Sequence, residues 1–383
     1  MSDTTTSDEI RFIDQGSAIT RYARGWHCVG LAKDFRDGKP HEVKIFGQTA
    51  VVFAGEDGQI HMLDAFCRHM GGNLAHGEIK GNEIACPFHD WRWNGEGRCT
   101  KVPYARRTPV RARTLRWLTM EQDGLLFCWN DPQGNPPPAD VTIPKIPDFD
   151  SGRWTDWSWK SYLVEGAHCR EIVDNVVDMA HFFYVHYQIP RYFKNVFEGH
   201  VASQYMQSTG REDIKTGVQM DLPEAVTRSE ASYFGPSFML DTIWTESEGQ
   251  VIEAKLVNCH YPIGPDSFLL QYGIIVEKIP GVSDEEADAM GQTFVDGLEV
   301  QFLQDVEVWK HKTRIENPLL TEEDGPVYQL RRWYEQFYVD VEDVTPEMTK
   351  RFEFEVDCDY AVETWIAESS AAAEQSSTTT AGA

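Results

Sequence analysis

Positive charge is scarce in this chain. Its 383 residues carry 35 Lys and Arg against 61 Asp and Glu, a formal net charge of −26. A surface of that sign repels phosphate backbones and anionic headgroups, so nucleic-acid and membrane-surface roles are not expected. A protein partner with a basic docking face remains open. Long hydrophobic runs are also missing: no stretch reaches the roughly 18 apolar residues that span a bilayer. The opening residues Met1 to Asp8 are polar and acidic, with neither a basic segment nor an apolar one, which argues for a cytoplasmic setting rather than secretion. Cysteine is sparse. Cys28, Cys67, Cys86, Cys99, Cys128, Cys169, Cys259 and Cys358 are scattered over a large chain, unlike the dense framework of a small secreted domain. No tandem repeat is found. No strand–Gly-x-Gly-x-x-Gly–helix unit for a dinucleotide exists either, since Gly95-Glu-Gly97 lacks the third glycine and the flanking elements.

What is there divides at a proline-rich stretch. Asp131-Pro-Gln-Gly-Asn-Pro-Pro-Pro138 cannot continue a helix or sheet, because its prolines remove donors and fix φ. Ahead of it, short strand and turn signals give a small all-β domain over residues 26–135. Ala50–Ala54 and Gln59–Leu63, for example, flank the hairpin signature Gly55-Glu-Asp-Gly58. Behind it, a second domain over residues 150–366 mixes both element types. Phe238–Trp244, Val251–Val257 and Ser267–Val276 read as long antiparallel strands. Ser283-Asp-Glu-Glu286 matches a capping box that starts a helix to about Lys312, and another helical stretch covers roughly 170–186. An antiparallel sheet wrapped on a long helix, a helix-grip-like α+β design, is the simplest assembly. Residues 1–25 form a partly disordered N-terminal segment, and the low-complexity residues 367–383 are expected to be an unfolded tail.

Two short motifs in the all-β domain carry metal-binding chemistry. Cys67-Arg-His69 and Cys86-Pro-Phe-His89 each offer one thiolate and one imidazole, with sixteen residues, Met70 to Ala85, between them. A Rieske [2Fe–2S] centre needs two cysteines on one iron and two histidines on the other, and two such loops can clamp it from both sides. Gly71-Gly72 and Pro87 suit the tight turns this requires. The alternative is a Cys2His2 zinc site, whose ligands are usually grouped as two cysteines followed by two histidines rather than interleaved. His61, in a strand pattern, and His76, in the connecting loop, read as ordinary residues, as do His27, Cys28 and Cys99.

A second candidate lies in the run Asp174 to His186, where two histidines and two acids sit among large apolar residues. Burying them is costly unless they are paired or metal-bound. Two histidines and a carboxylate form the facial triad that leaves positions open on non-haem Fe(II). On an ideal helix His181 and His186 stand roughly 140° apart, so both reach one metal only if the helix ends or widens between them. Asp178, three residues before His181, shares its face and is placed to hold its outer nitrogen. Core packing of the two histidines is the alternative. For the third ligand, Leu298, Phe302 and Trp309 recur at helical spacing and Asp305 falls on that stripe, while Glu299 and Glu307 do not.

Together these residues resemble the oxygenase component of Rieske non-haem iron oxygenases. The closer likeness, over roughly residues 9–365, is to 3-ketosteroid 9-alpha-hydroxylase oxygenases. It is carried by Ala23-Arg-Gly-Trp-His-Cys28, Cys67-Arg-His-Met-Gly-Gly72, Cys86-Pro-Phe-His-Asp-Trp-Arg-Trp93, Asp174 to His186, Val196-Phe-Glu-Gly-His200 and Phe302-Leu-Gln-Asp-Val-Glu-Val-Trp309. The resemblance implies a Rieske domain followed by a catalytic domain, and a monooxygenase hydroxylating C9 of 3-ketosteroids with O2 in bacterial sterol and cholesterol breakdown. It implies one [2Fe–2S] cluster on Cys67, His69, Cys86 and His89, and one mononuclear Fe(II) on His181, His186 and Asp305, with Asn175 near the metal. It further implies a homotrimer in which Asp178 bridges to His89 of the partner subunit. A separate flavin- and iron–sulfur-containing, NADH-dependent reductase is expected to supply electrons, and Arg106, Arg107, Arg111, Arg113 and Arg116 either help dock it or form a solvated strand face. Phe302, Trp309, Tyr233, Met239 and Asn258 are candidate walls of the steroid pocket. The substrate is left open between a free ketosteroid, a side-chain-bearing steroid and a coenzyme A thioester. An aromatic dioxygenase, a demethylase and a Rieske protein that only transfers electrons are the other readings.

Overall fold

The computed structural model describes residues 13–17, 19–211, 213, 225–279 and 281–380. The expected disorder of the first residues lies outside the described residues.

Ten strands build the first half: β1 (Gly25–Leu31), β2 (His41–Ile45), β3 (Gln48–Ala54), β4 (Ile60–Asp64), β5 (Glu78–Lys80), β6 (Glu83–Ala85), β7 (Arg92–Asn94), β8 (Cys99–Lys101), β9 (Arg116–Gln122) and β10 (Leu125–Asn130). Six pair antiparallel in the order β1-β10-β9-β4-β3-β2, and β5 to β8 form a separate four-stranded sheet. The unbroken apolar run of β3 has a physical cause. Ala50 and Val52 face one core cluster, while Val51 and Phe53 face a second that reaches Cys67, Cys86 and Trp93. A strand buried on both faces loses the alternation of a half-exposed one.

The second half contains β11 (Ser158–Glu165), α1 (Arg170–Val173), α2 (Ala180–Tyr184), β12 (Gln188–Glu198), β13 (Val201–Gly210), β14 (Val226–Phe234), β15 (Phe238–Ser247), β16 (Gln250–Gly264), β17 (Ser267–Val276), α3 (Asp284–His311), α4 (Val327–Glu335), β18 (Phe352–Glu355) and α5 (Asp359–Thr380). Its eight strands run in the order β11-β17-β16-β15-β14-β13-β12-β18. The capping box closes at the start of α3: Ser283 accepts from the Glu286 backbone while the Glu286 carboxylate takes the Ser283 N–H. Val295, Phe302, Val306 and Trp309 of α3 then pack on Leu270, Tyr272 and Ile274 of the sheet, and Phe302 stacks on Tyr272 at 4.3 Å. Each such burial stabilises the fold by roughly 1.5–3 kcal/mol. The Leu298 side chain lies outside the described residues.

The two halves are joined by more than the linker. Trp26, Phe127 and Trp129 of the first share a core cluster with Phe238 and Val257 of the second, and the Gln271 amide donates to the Cys28 carbonyl at 3.1 Å.

Two expectations are corrected. The stretch over 170–186 is not one helix. α1 passes into a 3-10 turn at Asp174–Val176, and α2 begins only at Ala180. Residues 367–380 are not an unfolded tail either, since α5 runs through them. Ala371-Ala-Ala373 lies in the residue type with the best helix propensity. The helix also has an anchor, because Trp365 stacks on Phe183 of α2 at 4.9 Å.

Candidate metal centres

The loops after β4 and β6 share one backbone design. Cys67 N–H donates to the Gly72 carbonyl, and Gly71 N–H returns to the Cys67 carbonyl, both at 2.9 Å. Cys86 and Asp90 repeat the pattern: Cys86 N–H donates to the Trp91 carbonyl and Asp90 N–H to the Cys86 carbonyl, again at 2.9 Å. Four places after each cysteine the chain turns left-handed, with φ 75° at Gly71 and 56° at Asp90. Glycine takes that turn freely in the first loop. In the second, Asp90 is braced by Lys80 at 2.6 Å and Arg92 at 3.3 Å.

Matching loops bring matching donors together. Both thiols are buried, and a Cβ on Gly72 would stand 2.7 Å from Cys86 Sγ, so the sulfur needs this glycine. The His69 and His89 rings lie 4.8 Å apart between centroids. His69 stacks on Trp91 at 4.5 Å, and Trp91 Nε1 donates to the Tyr104 hydroxyl at 2.8 Å. Burial pushes the Cys67 thiol up to about 11. A thiolate at such a place depends on a metal cation to displace its proton. Nδ1 of His89 is buried with no partner among the described residues. Two thiols, two imidazoles and an orphaned ring nitrogen fit a Rieske cluster, with sulfur on one iron and nitrogen on the other.

The second centre assembles where α2 runs out. Val185 N–H and His186 N–H both reach the His181 carbonyl, at 2.7 and 3.4 Å, so the last turn widens. Tyr187 follows at φ 58° and turns the chain into β12. That widening brings His186 round to His181, with ring centroids 5.0 Å apart. Asp305, on the buried face of α3, comes within 3.3 Å of His186 Nε2. Ligand atoms of His181, His186 and Asp305 all lie within 4.8 Å of one another, the sole such group among the described residues. Asp178 meets His181 through both its backbone and its side chain. Its carbonyl faces His181 Nδ1 within hydrogen-bond distance, and its carboxylate lies 3.8 Å from that nitrogen and accepts the His181 backbone N–H at 3.2 Å. The carboxylate itself stays about half exposed, at 49%. With Nδ1 engaged, Nε2 of His181 is left for a metal. Two imidazoles and one carboxylate on adjacent elements fit a facial triad for Fe(II).

The triad opens into a cavity of about 1130 Å³. That exceeds the roughly 300–1,000 Å³ of most small-molecule sites. All five candidate wall residues, Phe302, Trp309, Tyr233, Met239 and Asn258, line it, as does Asn175. Sheet register explains part of this: Tyr233, Met239 and Asn258 are paired across three neighbouring strands on one face. Among the lining residues that the sequence reading did not name, three stand out. Asp241 is a buried acid on the same face of β15 as Met239 and Ile243, and burial pushes its carboxyl up to about 7 although Ser229 donates to it at 2.8 Å. An acid at an inward-facing position of a strand was a legible signal. Ile366 and Ser369 also line the cavity from α5, where low complexity hid the helix.

Comparison with known proteins adds the following. Residues 25–115 match the family described as Rieske [2Fe-2S] domain, and residues 128–338 match 3-Ketosteroid 9alpha-hydroxylase C-terminal domain. An oxygenase component of 3-ketosteroid-9-alpha-monooxygenase from Rhodococcus rhodochrous is 69% identical over 357 residues, covering 93% of this chain and 94% of its own. Its counterpart from Mycobacterium tuberculosis is 58% identical, covering 96% and 95%. Among solved structures, Pseudomonas putida CBB5 NdmA with caffeine superposes with a TM-score of 0.66 at 16% identity, covering 88% of this chain and 97% of that one. Dicamba monooxygenase bound to dicamba gives 0.63 at 19%, covering 82% and 97%.

Proposed function

The chain belongs to the family of 3-ketosteroid-9-alpha-monooxygenase oxygenase components, and from that membership we propose a reading of its sites, substrate and partners. It is the terminal oxygenase of a two-component system that hydroxylates C9 of a 3-ketosteroid. One atom of O2 enters the C–H bond and the other leaves as water, with two electrons and two protons consumed. The observation that carries this reading is the His181–His186–Asp305 group opening into the large cavity. A protein that only transferred electrons would have no use for either.

Cys67, Cys86, His69 and His89 would hold the cluster, and His181, His186 and Asp305 the mononuclear iron. When bound, the cluster supplies single electrons and the iron supplies O2 activation. The chain's own residues do the positioning. The Asp178 carbonyl fixes the tautomer and tilt of His181, and α3 holds Asp305 rigidly against His186. Phe302, Trp309, Tyr233 and Met239 exclude water and shape a slot for an apolar polycycle, while Asn175 and Asn258 offer amides for orientation. The cavity's size suits a steroid that carries a side chain or a thioester arm.

Asp178 has a second use in this reading. Its half-exposed carboxylate is available to a neighbour, and the His89 ring lies 3.9 Å from that of the exposed Phe88. In a homotrimer Asp178 would bridge to His89 of the partner subunit, and Phe88 would be covered. A flavin- and iron–sulfur-containing reductase using NADH is the fitting donor. The setting is cytoplasmic, supported by eight cysteines that are all free and buried, and the role is in sterol ring breakdown. No helix among the described residues is long and apolar enough to cross a membrane.

The test is a reconstituted assay comparing free 3-ketosteroids, side-chain-bearing steroids and coenzyme A thioesters with a matched reductase. A 9-hydroxylated product from at least one class is expected. NADH consumption with no oxidised steroid from any class would overturn the substrate assignment.

A further inference from the structure

A run of cations without acids lies beside the cluster loops of this acidic molecule. From Gly97 to Met120 the sequence holds seven cations, Arg98, Lys101, Arg106, Arg107, Arg111, Arg113 and Arg116, and no acid. Against a net charge of −26 this is a sharp local reversal. Elsewhere cations are commonly spent on ion pairs, as Arg153, Lys160, Arg314 and Arg351 are. In this segment only Arg116 is paired, with Glu96. Arg98, Lys101, Arg106, Arg107, Arg111 and Arg113 are exposed and make no ion pair among the described residues.

The segment is bound to the cluster loops. Cys99 N–H donates to the Ala112 carbonyl and Thr114 N–H to the Gly97 carbonyl, so the two ends of the arginine loop are stapled together. Tyr104, on the same loop, accepts from Trp91, which stacks on His69. The loop also displays bare apolar surface, with Tyr104 at 64% and Val110 at 90% exposure. Unpaired charge around a small apolar centre is the composition of a transient electron-transfer contact, where charge steers the encounter and the apolar patch seats it.

We propose that the loop between β8 and β9 is the docking face for the electron donor, and that the donor presents a complementary acidic surface around its own redox centre. This rests on the reading that a separate reductase serves the chain. Electrons would enter from the Tyr104–Trp91 side of the cluster. A second copy of this chain is the competing occupant, being acidic itself, and the test separates the two.

The triple charge reversal Arg106→Glu, Arg107→Glu, Arg111→Glu is compared with the charge-retaining Arg→Lys triple at the same positions. Two readouts need no hydroxylation: the dissociation constant for the reductase, and the rate at which reductase bleaches the cluster absorbance. At low salt the reversal is expected to weaken binding and slow bleaching by about tenfold or more. The lysine triple should stay within about twofold of the parent, and added salt should erase the difference. Reduction by dithionite should be unchanged in all three proteins. Unchanged affinity and bleaching rate in the reversal triple would overturn the proposal. So would a change in oligomeric state, which would assign the loop to contacts between copies. If docking behaves as expected but no steroid is oxidised, the proposed function fails and the docking face stands.

Discussion

The two candidate centres of this chain are built in opposite ways. The candidate cluster ligands come from two loops only sixteen residues apart, each closed by the same pair of backbone hydrogen bonds. The triad draws on a widened helix end and, more than a hundred residues later, the C-terminal third of α3. The first is a local motif that folds its own donors into place. The second exists only when α3 has packed on the sheet. One centre should therefore tolerate damage to the other, and the damage should look different.

The strongest way to test that independence is Asp305→Ala. It is expected to remove one of three irons per chain and to abolish hydroxylation, while the cluster's visible absorption stays at the parental level. Metal analysis alongside the spectrum would decide, and joint loss of all three irons would break the comparison. Cys86→Ser is the mirror experiment. It should bleach the cluster and end reductase-driven turnover, yet leave a metal titratable into the triad.

Smaller effects sharpen the picture. Asp178→Asn keeps the backbone carbonyl that faces His181, so iron content should be retained. Turnover is nonetheless expected to fall by roughly 10–100-fold, the usual scale for a lost outer partner. Loss of iron in this variant would mean that the carboxylate, not the carbonyl, positions the ring. Phe302→Ala opens the roof stacked on Tyr272 and should cost about 3–5 kcal/mol of stability by denaturant titration. Its KM should rise more than its kcat falls.

Asp241 gives a pH signature. Its carboxyl, near 4 when unfolded, is pushed to about 7 in the fold by burial. The folded state keeps the proton that the unfolded state releases, so this group's contribution is full below about pH 4 and is lost as pH rises to about 7. Asp241→Asn should gain stability relative to the parent across that window, by a few kcal/mol in order of magnitude. Parallel stability–pH curves for the two proteins would contradict it.

The same contrast governs what could be read from the sequence. The cluster loops were legible because ligand order and spacing lie within two short segments. The long helix and the three strands were legible from a capping box and from apolar runs. Asp305 could be singled out because it falls on the apolar stripe of α3. The split at 174–179 was not legible, since no proline or glycine interrupts the run 170–186. α5 was hidden for the opposite reason. Its composition looks structureless, and its order depends on the distant Trp365–Phe183 stack.

The most direct measurement is single turnover of chemically reduced protein with O2 and a 3-ketosteroid, without reductase, followed by product analysis. The parent should yield a 9-hydroxylated steroid approaching one per mononuclear iron. Asp305→Ala, with its cluster equally reduced, should yield none. Equal product from the two proteins, or none from an iron-replete parent, would contradict the assignment of His181, His186 and Asp305 as the place where the steroid is oxidised.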